Sequence, residues 1–458
     1  MSFTADKQTL DDLNISGKYK GNSIFNLFAR IRTRGGERLL ESMFRQPLSD
    51  AEAINARSAI FRSFGEMAVE FPVTKELCDE VEQYISGQES RSLAASALAV
   101  GRKRILREIA SDKQYDMIHS GILSLIRFVG SLNQFFSRLD DLSSSCPYRT
   151  SIREAKQICS SAGLGQLLSD QGIARLSLGR VIRYDHLLRT TYQPQLRRLM
   201  QTLYECDVYI AVSRVAEDRQ FVYALAAPFV EGENRIDIAS LYHPQLAGAV
   251  ANNIRTDHGC NLIFLTGANM AGKSTFMKSF GIAIYLAHMG FPVAAKGMIF
   301  SVQDGLYTSI NVADRLDLGY SHFYAEVLRV KQVAEAVSQN KNLVIIFDEL
   351  FKGTNVKDAY DATVAVTAAF AENRNCAFIV STHIVEAGQH LQQHCSNIKF
   401  VCFPTLINKG IPQYTFTLQD GISSDRHGMM IITNEGIVDI LRGRRTTPNI
   451  HPDCQAPS

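Results

Sequence analysis

The sequence lacks the features of secreted, zinc-binding and membrane-spanning proteins. Its nine cysteines are scattered and no two form a Cys-x-x-Cys pair, so we expect neither a disulfide framework nor a zinc site, which fits a reducing compartment. The N-terminus has no apolar signal core. The longest stretch without a charged residue, Ser279 to Ala295, is shorter than the ~20 residues that cross a bilayer. We therefore predict a cytoplasmic protein with no membrane partner.

An excess of charge of either sign is also missing. The 48 Lys and Arg residues against 46 Asp and Glu leave a formal charge of +2, so a nucleic-acid surface can come only from local clustering. The apolar fraction of 46% is close to the globular average, which excludes wholesale disorder. With 458 residues, the chain has room for several domains of about 150 residues each.

The first half of the chain has helical spacing and little strand-type alternation. Between about Ser23 and Ser213, apolar residues recur mostly three or four positions apart. Asp50 or Ser49 is placed to cap one of these helices. We predict a mainly α domain over residues 1–215.

Arginine is frequent in this half. The two clusters that stand out consist of Arg102, Lys103, Arg104 and Arg107, and of Arg175, Arg180, Arg183, Arg189, Arg197 and Arg198. One interpretation is that they lie on solvated helix faces. The other is that they face the phosphates of a nucleic acid. Composition alone favours the first and leaves the second open.

Beyond about Gln220, short apolar runs alternate with helical stretches. Three of these runs, each ending at a polar motif, are Cys260–Leu265, Leu343–Phe347 and Cys376–Val380. The alternation is typical of an α/β domain with a mainly parallel sheet, in which ligands bind at the carboxyl ends of the strands. We predict such a domain over residues 216–458.

The first polar motif fits the phosphate-binding pattern G-x-x-x-x-G-K-[ST]. It runs from Gly267 to Ser274, after an apolar strand and before a helical stretch that starts at Thr275, which is the context that such a loop requires. Its glycines let backbone N–H groups turn toward a phosphate, and the helix N-terminus adds partial positive charge. Lys273 is placed to reach the β- and γ-phosphates, and the Ser274 hydroxyl to hold Mg²⁺.

The other two motifs supply acids and a histidine. Asp348 and Glu349 end the second strand; Asp348 suits a water-mediated contact to Mg²⁺, and Glu349 suits a general base that polarises the attacking water. An isolated acidic pair at a strand end is more often a solvated turn. His383 follows the third strand and is placed to contact the γ-phosphate or the water, although a lone histidine there is usually a structural cap.

These motifs resemble those of the MutS family of DNA mismatch-repair ATPases. Thr266–Met277 is similar to the family's TG-x-NM-x-GKST-x-M loop, and Asp348–Thr354 is similar to its DE-x-x-[KR]-GT motif. The further matches are His243-Pro244, the segment from Asp314 to Glu326, Ser381–His383, Gln419–Gly421 and His427-Gly428. The segment from Ser23 to Arg62 is similar, less closely, to the family's helical core and lever region.

The resemblance implies an all-α core and lever domain followed by an ABC-type P-loop ATPase domain that binds ATP and Mg²⁺. The loop residues implied to bind the nucleotide are Gly267, Asn269, Met270, Ala271, Gly272, Lys273, Ser274 and Thr275. Asp348 would serve Mg²⁺ together with Ser274. Glu349 would activate water, and His383 would couple hydrolysis to movement.

The resemblance also implies a second subunit and a DNA partner. Gly319 and Ser321 would act in trans, on the nucleotide of the other chain, so a homodimer is implied. We expect an ATPase of low, ligand-stimulated turnover that clamps double-stranded or branched DNA in mismatch repair or recombination. The alternative is a nucleotide-gated module whose arms grip a protein and that does not bind DNA.

The sequence departs from the family's pattern in several respects. At the position of the aromatic that stacks on adenine stands Ala249, and Phe416 is the candidate ring to replace it. The core-like segment begins near Ser23, so we expect the mismatch-reading and connector domains of the family to be absent. The insert that forms the DNA clamp is expected to be absent or short between Ser86 and Ser213, and no endonuclease-like extension is expected at the C-terminus. The sequence therefore predicts the residues of the ATP site in more detail than the DNA structure that the protein would bind.

Overall fold

The computed structural model describes residues 3–17, 21–86, 93–110, 113–310, 322–408, 411–423 and 440–442. Within these ranges, long helices dominate the part before residue 220, and strands alternate with helices after it. The predicted mixture of helices with a mainly parallel sheet is confirmed. The division into domains at residue 215 stays a prediction.

Several helices of the first half begin at side chains that satisfy free backbone N–H groups. Asp50 Oδ1 accepts a hydrogen bond from Ala53 N at 2.8 Å, which confirms one of the two predicted caps, and Thr33 Oγ1 accepts one from Gly36 N at 3.0 Å. The described helices are α1 (Lys7–Asp12), α2 (Ile24–Phe28), α3 (Arg34–Arg45), α4 (Ala51–Met67), α5 (Lys75–Ile85), α6 (Leu93–Ala110), α7 (Gln114–Leu142), α8 (Arg149–Ser160), α9 (Gly165–Leu168), α10 (Leu178–Arg189) and α11 (Gln193–Arg219).

The second half is built on one mainly parallel sheet. Its strands are β1 (Thr4–Ala5), β6 (Leu262–Gly267), β9 (Gly305–Ser309), β10 (Leu343–Asp348), β11 (Ala377–Ser381), β12 (Ile398–Phe403) and β15 (Gln419–Asp420), in the order β1-β9-β10-β11-β6-β12-β15. Only the β12–β15 pair is antiparallel among these described strands. The register aligns Asp348 with Ser381, and Ser381 with Leu265, so the three predicted motifs begin at the same edge of the sheet.

Smaller sheets and four helices complete this half. The remaining strands are β2 (Val222–Tyr223), β3 (Leu225–Ala227), β4 (Arg235–Leu241), β5 (Asn252–Asp257), β7 (Pro292–Val293), β8 (Gly297–Ser301), β13 (Thr405–Asn408) and β14 (Ile411–Tyr414). The helices are α12 (Lys273–His288), α13 (His322–Val337), α14 (Val356–Ala371) and α15 (Val385–His394). No helix in the described ranges is long and apolar enough to cross a bilayer.

The expectation that the first half is all-α is wrong at its first residues. Strand β1 pairs in parallel with β9 and so belongs to the sheet of the second half. Asp6, which caps α1, forms an ion pair with the buried Arg329 of α13, and Thr9 Oγ1 accepts a hydrogen bond from Thr308 N at 3.0 Å. A two-residue strand is too short to show the alternation of apolar and polar residues that predicts a strand. Its conformation depends on the pairing with β9 and not on a pattern of its own.

The main sheet has an apolar core on each face. One face packs with α12 and with helices of the first half in a cluster that contains Phe61, Phe291 and Ile346. The other face packs with α13, α14 and α15 in a cluster that contains Phe347 and Phe370. Successive strand residues point to opposite faces, which explains why Ile346 and Phe347 divide between the two clusters. The core therefore continues from the helical half into the sheet.

Candidate nucleotide site

The loop between β6 and α12 turns at two glycines. Gly267 and Gly272 have φ angles of +141° and +101°, and a Cβ on Gly267 would lie 3.0 Å from the carbonyl oxygen of Phe403. The first N–H groups of α12 have no partner within the helix and face this loop. Free N–H groups and the positive end of the helix dipole together form a surface that suits an anion.

The Lys273 side chain is buried against the loop. Its Nζ donates hydrogen bonds to the carbonyl oxygens of Gly267 at 2.9 Å and Ala268 at 3.1 Å. Burial lowers the pKa of Lys273, and the nearby carboxylates of Asp348 and Glu349 oppose that shift. Because both present partners are neutral carbonyls, a phosphate oxygen that reached Nζ would make the stronger, charge-assisted bond.

Asp348 and Ser274 meet across the strand edge. Ser274 Oγ donates a hydrogen bond to Asp348 Oδ2 at 2.5 Å, although β11 lies between β10, which ends at Asp348, and β6, which precedes the loop and α12. Asp348 Oδ1 is buried and has no hydrogen-bond partner among the described residues. The two predicted metal ligands are therefore in direct contact.

The oxygens of Ser274 and Asp348 fit a magnesium ion. Hydroxyl and carboxylate oxygens are the ligands that Mg²⁺ prefers, and a buried carboxylate oxygen without a partner leaves one ligand position available. In the described ranges, no cluster of three or more His, Cys, Asp or Glu side chains could hold a metal. An ion at Ser274 and Asp348 would therefore complete its coordination with phosphate oxygens and water.

Glu349 and His383 form a hydrogen-bonded pair. Glu349 Oε1 lies 2.6 Å from His383 Nε2, and its Oε2 lies 3.6 Å from Lys352 Nζ. The hydrogen bond from His383 is the main cause that lowers the pKa of Glu349 to about 2, so its carboxylate is ionised at neutral pH. The side chains predicted for catalysis are thus brought together.

The backbone of Glu349 is held in an unusual conformation. Its φ angle is +55°, in the left-handed region that non-glycine residues seldom adopt. Its N–H donates a hydrogen bond to the carbonyl oxygen of Ser381 at 2.9 Å, so the neighbouring strand fixes this conformation. Such strain is often found at functional sites, and here it places the side chain at the strand edge beside the loop.

A cavity of about 440 Å³ lies beside the loop. The predicted residues that line it are Asn269, Met270, Gly272, Lys273, Ser274, Thr275, Glu349 and Phe416. Ala271 is buried behind this surface, so its predicted contribution reduces to its backbone. Met270, which also lines the cavity, has an exposed side chain.

Phe416 forms one wall of the cavity. Its ring lies 3.1 Å from where a Cβ on Gly272 would be. The amide of Asn252 holds the backbone that follows this ring: Nδ2 donates to Phe416 O at 2.9 Å, and Oδ1 accepts from Leu418 N at 2.6 Å. Ala249 lines the same cavity and offers no ring. The geometry therefore brings Phe416 to the predicted site.

Part of the wall was missed from the sequence. Leu246, Val250, Asn252 and Phe403 also line the cavity. His243 lines it as well, but the sequence marked it only as part of a two-residue motif. The segment from Leu246 to Asn252 has no hydrophobic period or charge pattern of its own. Its only signals in the sequence were that it follows the motif at His243 and that Ala249 stands at the position of the family's aromatic residue.

Two models of one protein family match the chain. MutS domain III matches residues 8–213, and MutS domain V matches residues 263–444. The chain belongs to the MutS family. The second match begins within β6 and includes the loop, Asp348, Glu349 and His383, whereas the part of the cavity wall from Leu241 to Asn252 lies between the two matches.

Several relatives are named DNA mismatch repair protein MutS. The one from Leuconostoc mesenteroides is 24% identical over 98% of this chain and 62% of its own length. The relative from Exiguobacterium sp. is 32% identical over 43% of this chain and 23% of its own length, and the one from Anaplasma phagocytophilum is 29% identical over 50% and 27%. This MutS-family chain therefore spans less than two thirds of these relatives.

The two residues predicted to act in trans stand in the sequence between β9 and α13. Gly319 and Ser321 lie outside the described residues, and so does the motif at His427-Gly428. The described chain on either side is β9, which ends at Ser309, and α13, which begins at His322. The trans assignment stays a prediction.

Proposed function

We propose that this chain is an ATPase and that its second half is an ABC-type P-loop ATPase domain. One observation carries the proposal: a loop that suits phosphate, a pair of oxygens that suits Mg²⁺ and an ionised carboxylate meet at the ends of three adjacent strands. A solvated turn would not leave Asp348 Oδ1 buried without a partner in the described part of the chain.

Each side chain has a role that its contacts support. Lys273 exchanges its two carbonyl partners for oxygens of the β- and γ-phosphates. Ser274 and Asp348 hold Mg²⁺, which when bound neutralises charge on the phosphates. Glu349 accepts a hydrogen bond from the attacking water and orients it in line with the γ-phosphate. His383 holds the Glu349 carboxylate in place. Through this contact, a change at Glu349 during hydrolysis is passed on to His383 and to the residues around it.

The base of the nucleotide has an apolar slot available. Phe416 offers a ring face, and Leu246 and Val250 are exposed apolar side chains on the same cavity. Asn252 makes two hydrogen bonds to the backbone from Phe416 to Leu418, so the backbone that carries the ring is held before the nucleotide arrives. We assign Phe416 as the residue that stacks on the base in place of the aromatic missing at Ala249.

The direct test is nucleotide binding followed by phosphate release. With Mg²⁺ present, a fluorescent ATP analogue should bind the wild-type chain, and ATP should be hydrolysed to ADP and phosphate at a low rate. Phe416→Ala should weaken binding with little change in the maximal rate, because stacking serves ground state and transition state alike. If neither binding nor phosphate release occurs above background, the proposed site is wrong.

We further propose a homodimer in which Gly319 and Ser321 reach the partner's nucleotide. The family resemblance supports this assignment. Chains with Ser321→Ala and chains with Lys273→Ala should each be nearly inactive, and mixing them should restore partial activity because one of the two shared sites is then intact. Confirmed subunit exchange without any recovery would contradict the shared site.

DNA is the proposed partner, with a role in mismatch repair or recombination. The relatives named DNA mismatch repair protein MutS support this choice. The mechanism would be electrostatic, with helical arms that contact the backbone of a double-stranded or branched duplex. The resulting function is ATP hydrolysis coupled to DNA clamping.

A second candidate is a nucleotide-gated module that grips a protein. The observation in its favour is that several arginines of the two clusters are neutralised within the chain. The pairs are Arg107–Asp116, Arg180–Asp170, Arg189–Asp185 and Arg198–Glu154, with N–O distances of 3.0, 3.0, 2.7 and 2.8 Å. Paired arginines contribute less to a phosphate-binding surface, so the interpretation as ordinary surface charge gains weight.

Filter binding across a salt series separates the two candidates. The DNA proposal predicts retention of linear, mismatched or junction duplexes at low salt, with affinity that falls steeply as salt rises. The ATPase rate should rise with whichever class is retained. Background retention of every duplex at low salt would exclude the DNA proposal and leave the protein-gripping module.

A further inference from the structure

The carboxyl end of α12 is held by the helical half of the chain. Three successive carbonyl groups at this end accept hydrogen bonds from residues before and within α4. Leu48 N donates to His288 O at 2.8 Å, Arg57 Nη1 donates to Met289 O at 3.1 Å, and Ser58 Oγ donates to Gly290 O at 3.0 Å. We call Leu48, Arg57 and Ser58 the α12 anchor.

The anchor satisfies groups that a helix end normally leaves free. The last carbonyls of a helix have no partner within it and carry partial negative charge. A guanidinium such as that of Arg57 complements this charge. Gly290 has a φ of +70°, and a Cβ there would lie 2.9 Å from the carbonyl oxygen of Ile54, so α4 approaches as closely as a glycine allows.

Two side chains of α12 strengthen the same junction. Tyr285 Oη donates a hydrogen bond to the carbonyl oxygen of Phe44. His288 Nε2 accepts from Gln303 N at 3.3 Å, so the proton lies on Nδ1, which donates to Leu48 O at 2.9 Å. The end of α12 is therefore bonded to the last turn of α3 and to the segment between α3 and α4, and it both donates and accepts hydrogen bonds there.

The helix between the anchor and the loop is rigid. It has 16 residues, which corresponds to ~24 Å, and every residue from Ser279 to His288 is buried. A Cβ on Gly281, near its middle, would lie 2.9 Å from a methyl carbon of Leu13, so its neighbours leave no space for bending. Because Lys273 and Ser274 form its first turn, a displacement of the carboxyl end moves the phosphate-binding end as well.

Besides the anchor, α4 contacts strand β3 of the second half and the long helix α11 of the helical half. The Asn55 amide makes two hydrogen bonds to the backbone of Ala226, at 2.8 and 3.0 Å. Phe61 packs against Phe291 and Tyr209, with ring centroids 5.0 and 5.6 Å apart, and Tyr209 belongs to the long helix α11. A shift of α11 therefore reaches α12 through α4.

We propose that the α12 anchor couples the helical half to the phosphate loop and that Arg57 is the residue that positions the carboxyl end of α12 for this coupling. A ligand on the loop pulls α12 toward it, and the anchor transfers that change to α4. Because coupling between sites is reciprocal, anything that moves α4 and α11 changes nucleotide affinity. This inference rests on the nucleotide site proposed above.

Amide hydrogen exchange on the full chain tests the coupling. A non-hydrolysable ATP analogue with Mg²⁺ should slow exchange in the loop and in α4 by about fivefold or more, which is the lower end of typical coupling between sites. In Arg57→Ala and in Arg57→Lys, the loop should remain protected while the response of α4 is lost. Arg57→Lys keeps the charge and the fold but not the planar donor that reaches Met289.

Arg62→Ala is the matched control. Arg62 lies on the same helix, and its guanidinium lies 5.5 Å from the centre of the Tyr223 ring. Its loss should leave the response of α4 as in the wild type.

Four outcomes would count against the proposal. The first is a wild-type chain in which the loop is protected and α4 does not respond, and the second is an Arg57→Ala chain in which α4 responds fully. The third, no protection of the loop in the wild type, would remove the nucleotide site itself and the coupling with it. A loss of the response in Arg57→Ala that is shared by Arg62→Ala would also count against the anchor.

Discussion

The two ends of α12 satisfy their polar groups in opposite ways. At the start of the helix, Lys273 and Ser274 bond to partners that a ligand can replace, namely two loop carbonyls and the Asp348 carboxylate. At the other end, the carbonyls of His288, Met289 and Gly290 bond to a different part of the chain. The same helix therefore has one end whose polar groups can bind a ligand and one end whose polar groups are fixed by the packing of the chain. Changes at the first end should alter activity, and changes at the second should alter stability and the proposed coupling to α4.

The largest expected effect is at the open end. Lys273→Ala should reduce the turnover of ATP by about 100-fold to 1,000-fold, because it removes a preorganised positive charge from the phosphates. The unfolding midpoint without nucleotide should stay close to that of the wild type, since Lys273 bonds only to loop carbonyls. Phosphate release and thermal unfolding measure the two quantities. A large loss of stability with normal turnover would reverse the assignment of this end.

The next effect concerns the pH dependence of the fixed end. His288 is fully buried between the rings of Phe3 and Phe300, and burial lowers its pKa to about 4 from 6.5. The unfolded chain therefore binds the proton more tightly, so the contribution to stability is fully present above pH 6.5 and is lost as the pH falls toward 4. The loss should amount to about 3 kcal/mol by linkage.

Urea unfolding between pH 4 and pH 7 measures this contribution. His288→Gln is the control, because an amide can donate to Leu48 and does not titrate. It should remove about 3 kcal/mol of the pH dependence that the wild type has over this range. Equal slopes for the two chains would show that His288 does not cause the loss.

A smaller effect is expected at Gly290, which follows the helix. Gly290→Ala should lower the free energy of unfolding by about 2 kcal/mol, because the new methyl group meets the Ile54 carbonyl and the φ of +70° is unfavourable for alanine. Gly248 has the same φ of +70° with open space around it. Gly248→Ala should therefore cost only about 1 kcal/mol. Equal costs in chemical denaturation without nucleotide would contradict the close approach of α4.

The smallest effect is expected at Met270. Its side chain is 79% exposed, so Met270→Ala should change the free energy of unfolding by less than about 0.5 kcal/mol. Thermal unfolding without nucleotide provides the measurement. A loss of several degrees in the midpoint would mean that the loop is packed and not open.

The site was more predictable from the sequence than the packing around it. The loop, Asp348, Glu349 and His383 each follow a buried strand, and parallel strands bring their carboxyl ends together, so local motifs sufficed to predict that they meet. The pairing of β1 with β9 and the junction at His288 join residues hundreds of positions apart. Neither feature has a local sequence pattern. Every residue has a backbone carbonyl, so nothing in the sequence marks the carbonyl of Met289 as a hydrogen-bond acceptor. Phe416 lies between these cases, because its position was expected but the amide of Asn252 that holds it was not.

The most direct test of the account is single-turnover hydrolysis of ATP by Glu349→Gln. The substitution keeps the size of the side chain and a hydrogen bond to His383, but removes the carboxylate that orients water. We predict that ATP binding with Mg²⁺ persists, as measured by fluorescence, while the hydrolysis rate falls by about 100-fold or more. A hydrolysis rate equal to that of the wild type would contradict the central claim that the cavity beside α12 is a catalytic ATP site with Glu349 as its base.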